Sequence, residues 1–260
     1  MSETPMPAGG PSGSVVLITG GTRGIGKAIA LRLAEERPRH IVLVYCMNHG
    51  AARQTLAEIQ AMGVSASTVV CDVGNQELMR NLFRQVEEQW GRLDIFISNA
   101  ARTAFRSGSE LDVRSWRRTI ELNAEAFLLG AQMAASIMKK NGGGRIVALS
   151  SLGSRYYVKN YAALGAAKAA IENLARYLAV EYAPFGINVN VVCGGFVDTE
   201  SMKMIPEYGT LIEEIAAHTP AGRLARPEDL AGVVAFLCSA QSDWIRGQTL
   251  VADGGYSLSI

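Results

Sequence analysis

The sequence predicts one α/β unit: a doubly wound, seven-stranded parallel sheet with helices on both faces. Three observations predict it. Short β-branched runs alternate with longer amphipathic stretches along nearly the whole chain, without an internal repeat. The runs are apolar on both sides, the pattern of strands buried within a parallel sheet. The 260 residues are 48% hydrophobic and 19% charged. That composition supplies one large core and is too apolar and too neutral for disorder. Sustained strand–helix alternation then implies crossover connections and a single open sheet.

Taken in order, residues 1–13 (MSETPMPAGGPSG) are small, polar and rich in Gly and Pro, with no apolar stretch behind a basic start. They read as a disordered tail and not as a secretory leader, so the folded domain is expected over 14–260. Strand candidates follow at 15–19, 41–45, 68–71, 93–98, 145–149, 188–192 and 249–251. Helices are expected at 25–36, 51–62, 75–90, 113–139, 160–183 and 227–238. Asp72 and Asn75 suit the start of the third helix, and Gly63 and Gly91 fall where helices should stop. One long irregular interval, 194–226, holds a short helix near 207–217. An excursion of that size reads as a lid over a binding site.

Charge and composition exclude several roles. Lys and Arg number 25 against 24 Asp and Glu, a net charge of +1, without the basic footprint of a nucleic-acid binder. No apolar run approaches the ~20 residues that span a bilayer. Cys46, Cys71, Cys193 and Cys238 form no C-x-x-C pair, and His40, His49 and His218 are dispersed. The cysteines read as small buried apolar residues, with no metal site, in a reducing, cytoplasmic setting.

The first strand–helix junction carries chemistry. In LITGGTRGIGKAIA, Gly20, Gly24 and Gly26 permit a tight turn that brings backbone N–H groups and a helix start close to an anion. Gly21–Lys27 also matches the opening of a nucleotide-triphosphate loop. However, Ala28 stands where that loop needs a hydroxyl for magnesium. The dinucleotide reading is stronger.

At this point the chain resembles the short-chain dehydrogenase/reductase family over most of 14–260. Thr19–Gly26 looks like its cofactor turn, implying contacts from Gly20, Thr22, Arg23, Gly24, Ile25 and Gly26. Cys71-Asp72-Val73 is similar to the segment that holds adenine, and Ser98-Asn99-Ala100-Ala101 to the segment after the fourth strand. Asn123, Ser151 and Lys168 fall at the family's polar catalytic positions. Gly194–Thr199 resembles its turn toward the nicotinamide, implying contacts from Val197 and Thr199, and GQTLVADGG (247–255) resembles its closing strand. The resemblance implies a single-domain Rossmann sheet, a nicotinamide cofactor and homotetramers formed through the helices at 113–139 and 160–183.

NAD-using members place a carboxylate at the end of the second strand, on the adenosine ribose diol. Here the strand ends Tyr45-Cys46-Met47-Asn48-His49, without one. Arg23 can meet a 2′-phosphate, and Asn48 sits beside the same ribose, so NADPH is expected. Met47 replaces an arginine that would strengthen the grip.

The family's common Y-x-x-x-K is absent: four residues before Lys168 stands Leu164. Tyr161 precedes Lys168 by seven instead, a spacing that keeps both on one helical face and resembles enoyl-acyl-carrier-protein reductases. SSLGS (150–154), Asn160-Tyr161, Cys193-Gly194-Gly195 and TPAGR (219–223) look like their type III, NADPH-using branch. Type I members carry a second tyrosine ten residues before the first, where this chain has Ser151. Conjugate reduction develops charge two bonds from the carbon that takes the hydride, so a displaced donor suits it. Tyr161 is then the donor to the enolate oxygen, with Tyr156 and Tyr157 as rivals. Lys168 holds the nicotinamide ribose and supplies positive charge. Ser151 touches substrate or only caps the loop. Asn123 holds backbone and water in place.

Five arginines between Arg102 and Arg118 face Glu110 and Asp112, a local charge of 5 − 2 = +3, suited to an acidic acyl carrier protein. Met202, Met204 and Ile205 in the lid suit an acyl chain. These features predict NADPH-dependent reduction of an enoyl thioester in fatty-acid or polyketide synthesis. The competing readings are a ketone or alcohol oxidoreductase and a cofactor-binding protein without turnover.

Overall fold

Seven parallel strands form one sheet in the order β3-β2-β1-β4-β5-β6-β7. They are β1 (Val15–Thr19), β2 (His40–Tyr45), β3 (Ala66–Val70), β4 (Ile95–Ser98), β5 (Gly144–Ser151), β6 (Ile187–Gly194) and β7 (Thr249–Ala252). This computed structural model describes residues 11–102, 105–203 and 208–259. The strand order turns back between β1 and β4, so the carboxyl ends of these neighbours open a crevice, the place where such sheets bind ligands.

Alternation along each strand divides the core in two. Val15 and Leu17 face one side with Phe96, Ile146 and Ala148, under α3 (Gln76–Trp90), α5 (Ala126–Lys140) and α6 (Ala162–Tyr182). Val16 and Ile18 face the other with Ile97, Val147 and Leu149, under α1 (Gly24–Ala34) and α9 (Pro227–Leu237). The strands are apolar on both faces because both faces are covered. Close packing has a local cause at Gly130 on α5, where a Cβ would stand 2.6 Å from the Phe96 ring.

Caps set several boundaries. Asn75 accepts from the backbone N–H groups of Glu77 and Leu78 at the start of α3, and Gly91 ends it at φ 67°. Asn48 caps α2 (His49–Ala61) by accepting from Ala51 N. Asp112 caps α4 (Val113–Ile120) through Ser115 N.

Four expectations need correction or completion. The single helix expected at 113–139 is α4, a π-helical turn (Glu121–Glu125) and α5. Asn123 lies inside the π turn and its amide donates to Thr119 O at 2.8 Å and Arg102 O at 3.0 Å, which diverts a carbonyl from the regular ladder. The helix expected from 160 begins at Ala162, with Tyr161 as its non-helical N-cap (φ −112°, ψ 7°). Cys46 is exposed, unlike the other three cysteines. Residues 11–13 of the expected tail form a turn in which Gly13 N donates to Arg37 O at 3.1 Å; residues 1–10 lie outside the described set.

The interval after β6 contains α7 (Glu200–Lys203) and α8 (Tyr208–His218). Met204 and Ile205 lie outside the described residues, while Met202 is buried. Its base is tied down by an isolated bridge between Val197 and Ala225. Among the described residues no helix is long and apolar enough to cross a membrane, and no cluster of metal-binding side chains is present.

Candidate active site

The candidate residues converge because each follows the carboxyl end of a parallel strand. After β1, Gly20 and Gly24 adopt φ +65° and +51°, the left-handed region that favours glycine. Gly26 has no room for a side chain: a Cβ there would overlap the Gly20 carbonyl oxygen. Thr22 is buried and its carbonyl accepts from Thr55 Oγ1 at 2.9 Å. Ile25 is half-buried behind the turn. Arg23, the N-cap of α1, is exposed and makes no side-chain cap bond, and the first turn of α1 has no acidic residue. The N–H groups at this helix start therefore face the crevice without an internal acceptor side chain.

Asn99 serves this turn structurally. Its amide donates to Thr19 O at 3.0 Å and Gly20 O at 3.1 Å, while its own N–H and that of Ala100 donate to Thr19 Oγ1. Ala101 is exposed at the crevice mouth. At the β2 end, Met47 is exposed and Asn48 spends its side-chain oxygen on capping α2. No carboxylate stands between Tyr45 and His49. After β3, Val73 is buried. The Asp72 carboxylate accepts from Gly74 N at 3.0 Å and Arg118 Nη2 at 2.6 Å. It was expected to receive an adenine amino group, and Arg118 already holds one of its oxygens. After β6, Val197 is buried, and Thr199 lies within 3.7 Å of where a Gly24 Cβ would stand. The first and sixth strand ends thus meet across the crevice.

The reacting end is built by β5 and α6. Ser151, the last residue of β5, shares a hydrogen bond with Tyr161 Oη at 3.0 Å. Burial pushes the Tyr161 phenol above its ordinary pKa, opposed by that bond. Its ring fits against Gly153, where a Cβ would overlap Tyr161 Cδ1. Phe105 packs on the other side, ring centroids 6.1 Å apart, and Arg106 bridges the Tyr161 backbone. Lys168 is buried and donates from Nζ to Leu149 O at 2.7 Å. Burial lowers its pKa from 10.5 to about 8, against a small opposing influence of Cys193. Leu164, at the commoner tyrosine position, is buried in the core, while Tyr157 is 90% exposed and Tyr156 exposed. Of the three tyrosines, Tyr161 is the one whose hydroxyl meets Ser151.

Asn123 Oδ1 is buried without a hydrogen-bond partner among the described residues. The basic stretch is less free than its count implies. Arg106 pairs with Asp112 at 3.5 Å, and Arg118 with Asp72 and Glu121. Arg114 and Arg117 line a shallow surface depression beside α4 with Val113. Sequence reasoning missed Glu172, which is buried on α6 and bonded to Ser150, Ser154 and Arg155. No local signal marks it, because its partners lie 17 to 22 residues earlier in the chain.

These residues fit a dinucleotide. A turn that excludes Cβ atoms and an uncapped helix start suit a diphosphate, and a buried lysine with hydrogens beyond its Leu149 bond suits ribose hydroxyls. A family model described as Enoyl-(Acyl carrier protein) reductase matches residues 20–257. The chain belongs to the short-chain dehydrogenase/reductase family. It is 42% identical over 246 residues to 1-cyclohexenylcarbonyl-CoA reductase of Streptomyces collinus, covering 94% of this chain and 87% of that one. An NAD(P)-dependent protein from Beutenbergia cavernae, crystallised with NADP at low occupancy, superposes with a TM-score of 0.88 at 32% identity, covering 96% of this chain and 100% of that one. A 7α-hydroxysteroid dehydrogenase bound to NADH and a 7-oxo bile acid superposes with a TM-score of 0.88 at 31% identity, covering 94% of each chain. The protein is an oxidoreductase of this family.

Proposed function

We propose that the protein reduces the C=C bond of an enoyl thioester with NADPH, in fatty-acid or polyketide synthesis. The observation that carries the reading is the Tyr161–Ser151 bond in a chain whose commoner tyrosine position is filled by buried Leu164. The name of the Streptomyces collinus relative, a reductase of an unsaturated acyl-CoA, supports the same reaction type.

The nicotinamide, when bound, supplies a hydride to the β carbon. Tyr161 donates its phenolic proton toward the thioester oxygen, where enolate charge develops, and Ser151 holds the phenol in place. Lys168, protonated below about pH 8, orients the ribose hydroxyls and lowers the cost of negative charge on the tyrosine. The enol so formed then takes a proton from solvent at the α carbon and releases the one on its oxygen, so that one hydride and one net proton saturate the C=C bond. Gly20, Gly24 and Gly26 would cradle the diphosphate, Ile25 and Thr22 would back them, Arg23 would meet the 2′-phosphate beside Asn48, and Asp72 and Val73 would flank the adenine. Asn99, Ala100 and Ala101 would line the floor, Val197 and Thr199 would meet the carboxamide, and Asn123 would hold backbone and water in place.

Arg114 and Arg117 are the cations on the α4 face for an acidic acyl carrier protein or for the phosphates of coenzyme A. A cytoplasmic homotetramer packed through α5 and α6 completes the reading. The test is NADPH oxidation with crotonyl and acetoacetyl thioesters in parallel. Turnover of the crotonyl substrate is expected; turnover of acetoacetyl alone assigns carbonyl reduction instead, as the 7-oxo ligand of the steroid dehydrogenase would suggest.

A further inference from the structure

Glu172 lies on α6 four residues after Lys168 and is 5% exposed. Its Oε1 accepts from Ser150 Oγ at 2.7 Å and Ser154 Oγ at 2.6 Å. Its Oε2 accepts from Arg155 Nε at 3.1 Å and Nη2 at 3.0 Å. A carboxylate this buried is tolerable only when paired and fully hydrogen-bonded, and this one is both. The three donor residues bracket Ser151 and the short turn Leu152–Ser154 that follows it.

The same helix holds the end of β5 at a second point, through Lys168 Nζ on Leu149 O. Between the two anchors sits Ser151, whose hydroxyl meets Tyr161. The held turn also forms the wall of the tyrosine. Gly153 lies flat against the Tyr161 ring, and Gly165 of α6 lies flat against the Gly153 carbonyl, with no room for a Cβ at either. A shift of this turn would therefore move the Ser151 hydroxyl and the seat of the phenol together.

We propose that Glu172 is a positioning residue for the reaction: by tying Ser150, Ser154 and Arg155 to α6, it sets the Ser151–Tyr161 hydrogen bond and hence the aim of the proton donor. The inference rests on Tyr161 being that donor. Glu172 acts through Ser151 as well as through the Gly153 seat, so its contribution shrinks when the Ser151 hydroxyl is absent.

A double-mutant cycle tests this. Glu172→Gln keeps the side-chain volume but turns an amide toward Arg155. It should lower kcat by roughly 10- to 100-fold, as expected of misplacement by a fraction of an ångström to an ångström, with KM for NADPH within about two-fold of wild type. In a Ser151→Ala background the same substitution should lower kcat by at least about three-fold less than it does in wild type. Equal losses in both backgrounds, a parallel rise in KM for NADPH, or an unchanged kcat would each overturn the proposal. Should Glu172→Gln not fold, Ser154→Ala removes one arm and leaves the ion pair, and the same cycle decides the question. The cycle is run on crotonyl and acetoacetyl thioesters alike. Absence of crotonyl turnover by wild type refutes the enoyl reading alone, and the cycle on the acetoacetyl substrate still judges Glu172.

Discussion

Lys168→Met should stabilise the cofactor-free protein at neutral pH relative to alkaline pH while removing activity. Lys168 is 6% exposed, and burial lowers its pKa from 10.5 to about 8. Between those values the unfolded chain holds the proton more tightly than the folded one, so wild-type stability rises with pH across this window and the penalty of burying the ammonium is fully present below pH 8. Linkage puts that penalty at about 3 kcal/mol at pH 7 and about 1 kcal/mol at pH 10. Methionine does not titrate. Its stability minus that of wild type should therefore fall by roughly 2 to 3 kcal/mol between pH 7 and pH 10, whatever the lost bond to Leu149 O costs, because that cost is the same at both. Urea denaturation of both proteins at fixed concentration, at pH 7 and pH 10, reads the difference directly. A gap that does not change with pH would refute the reasoning: Lys168 would then be solvated, and poorly placed to act as a charge beside Tyr161.

Two further predictions concern the cofactor turn. Gly26→Ala would drive a methyl group into the Gly20 carbonyl and to 2.6 Å from Asn99 Nδ2; NADPH affinity, read by fluorescence titration, should fall at least about ten-fold, the cost of displacing one well-placed backbone contact. Unchanged affinity would mean that the turn has slack which the packing does not show. Arg23→Gln should lower the ratio of kcat/KM for NADPH over NADH by roughly 10- to 100-fold, the worth of one charge-assisted contact. A wild type that prefers NADH contradicts the assignment of Arg23.

The sheet was legible because its signal is local and repeated. Runs such as Val15–Thr19 are apolar on both faces, and Gly91 and Asn75 mark helix ends by backbone chemistry that neighbours alone decide. What stayed hidden depends on partners distant in sequence. The π turn at Asn123 forms around the carbonyl of Arg102, 21 residues away. Asp72 is taken by Arg118, 46 residues on, so a residue expected to face only adenine is also a tether for α4. Glu172 reads in sequence as one more polar position on a long helix, and its burial follows only from the turn after β5 folding over it. Tyr161 was found by its spacing. Its seat at the N-cap, with its carbonyl accepting from Gly165 N at 2.7 Å, lies outside the helical phase used to find it. The phenol is instead held against the end of β5 by Ser151 and Gly153.

The central claim is that the displaced Tyr161 is the proton donor, and one measurement tests it most directly: the rate of crotonyl-thioester reduction by Tyr161→Phe, with NADPH affinity measured on the same preparation. Phenylalanine preserves the ring contacts with Gly153 and Phe105 and removes only the hydroxyl that Ser151 holds. A fall in kcat of at least about 100-fold, the usual contribution of a positioned proton donor, is expected, with NADPH affinity within about two-fold of wild type. A variant that turns over at near wild-type rate would contradict it.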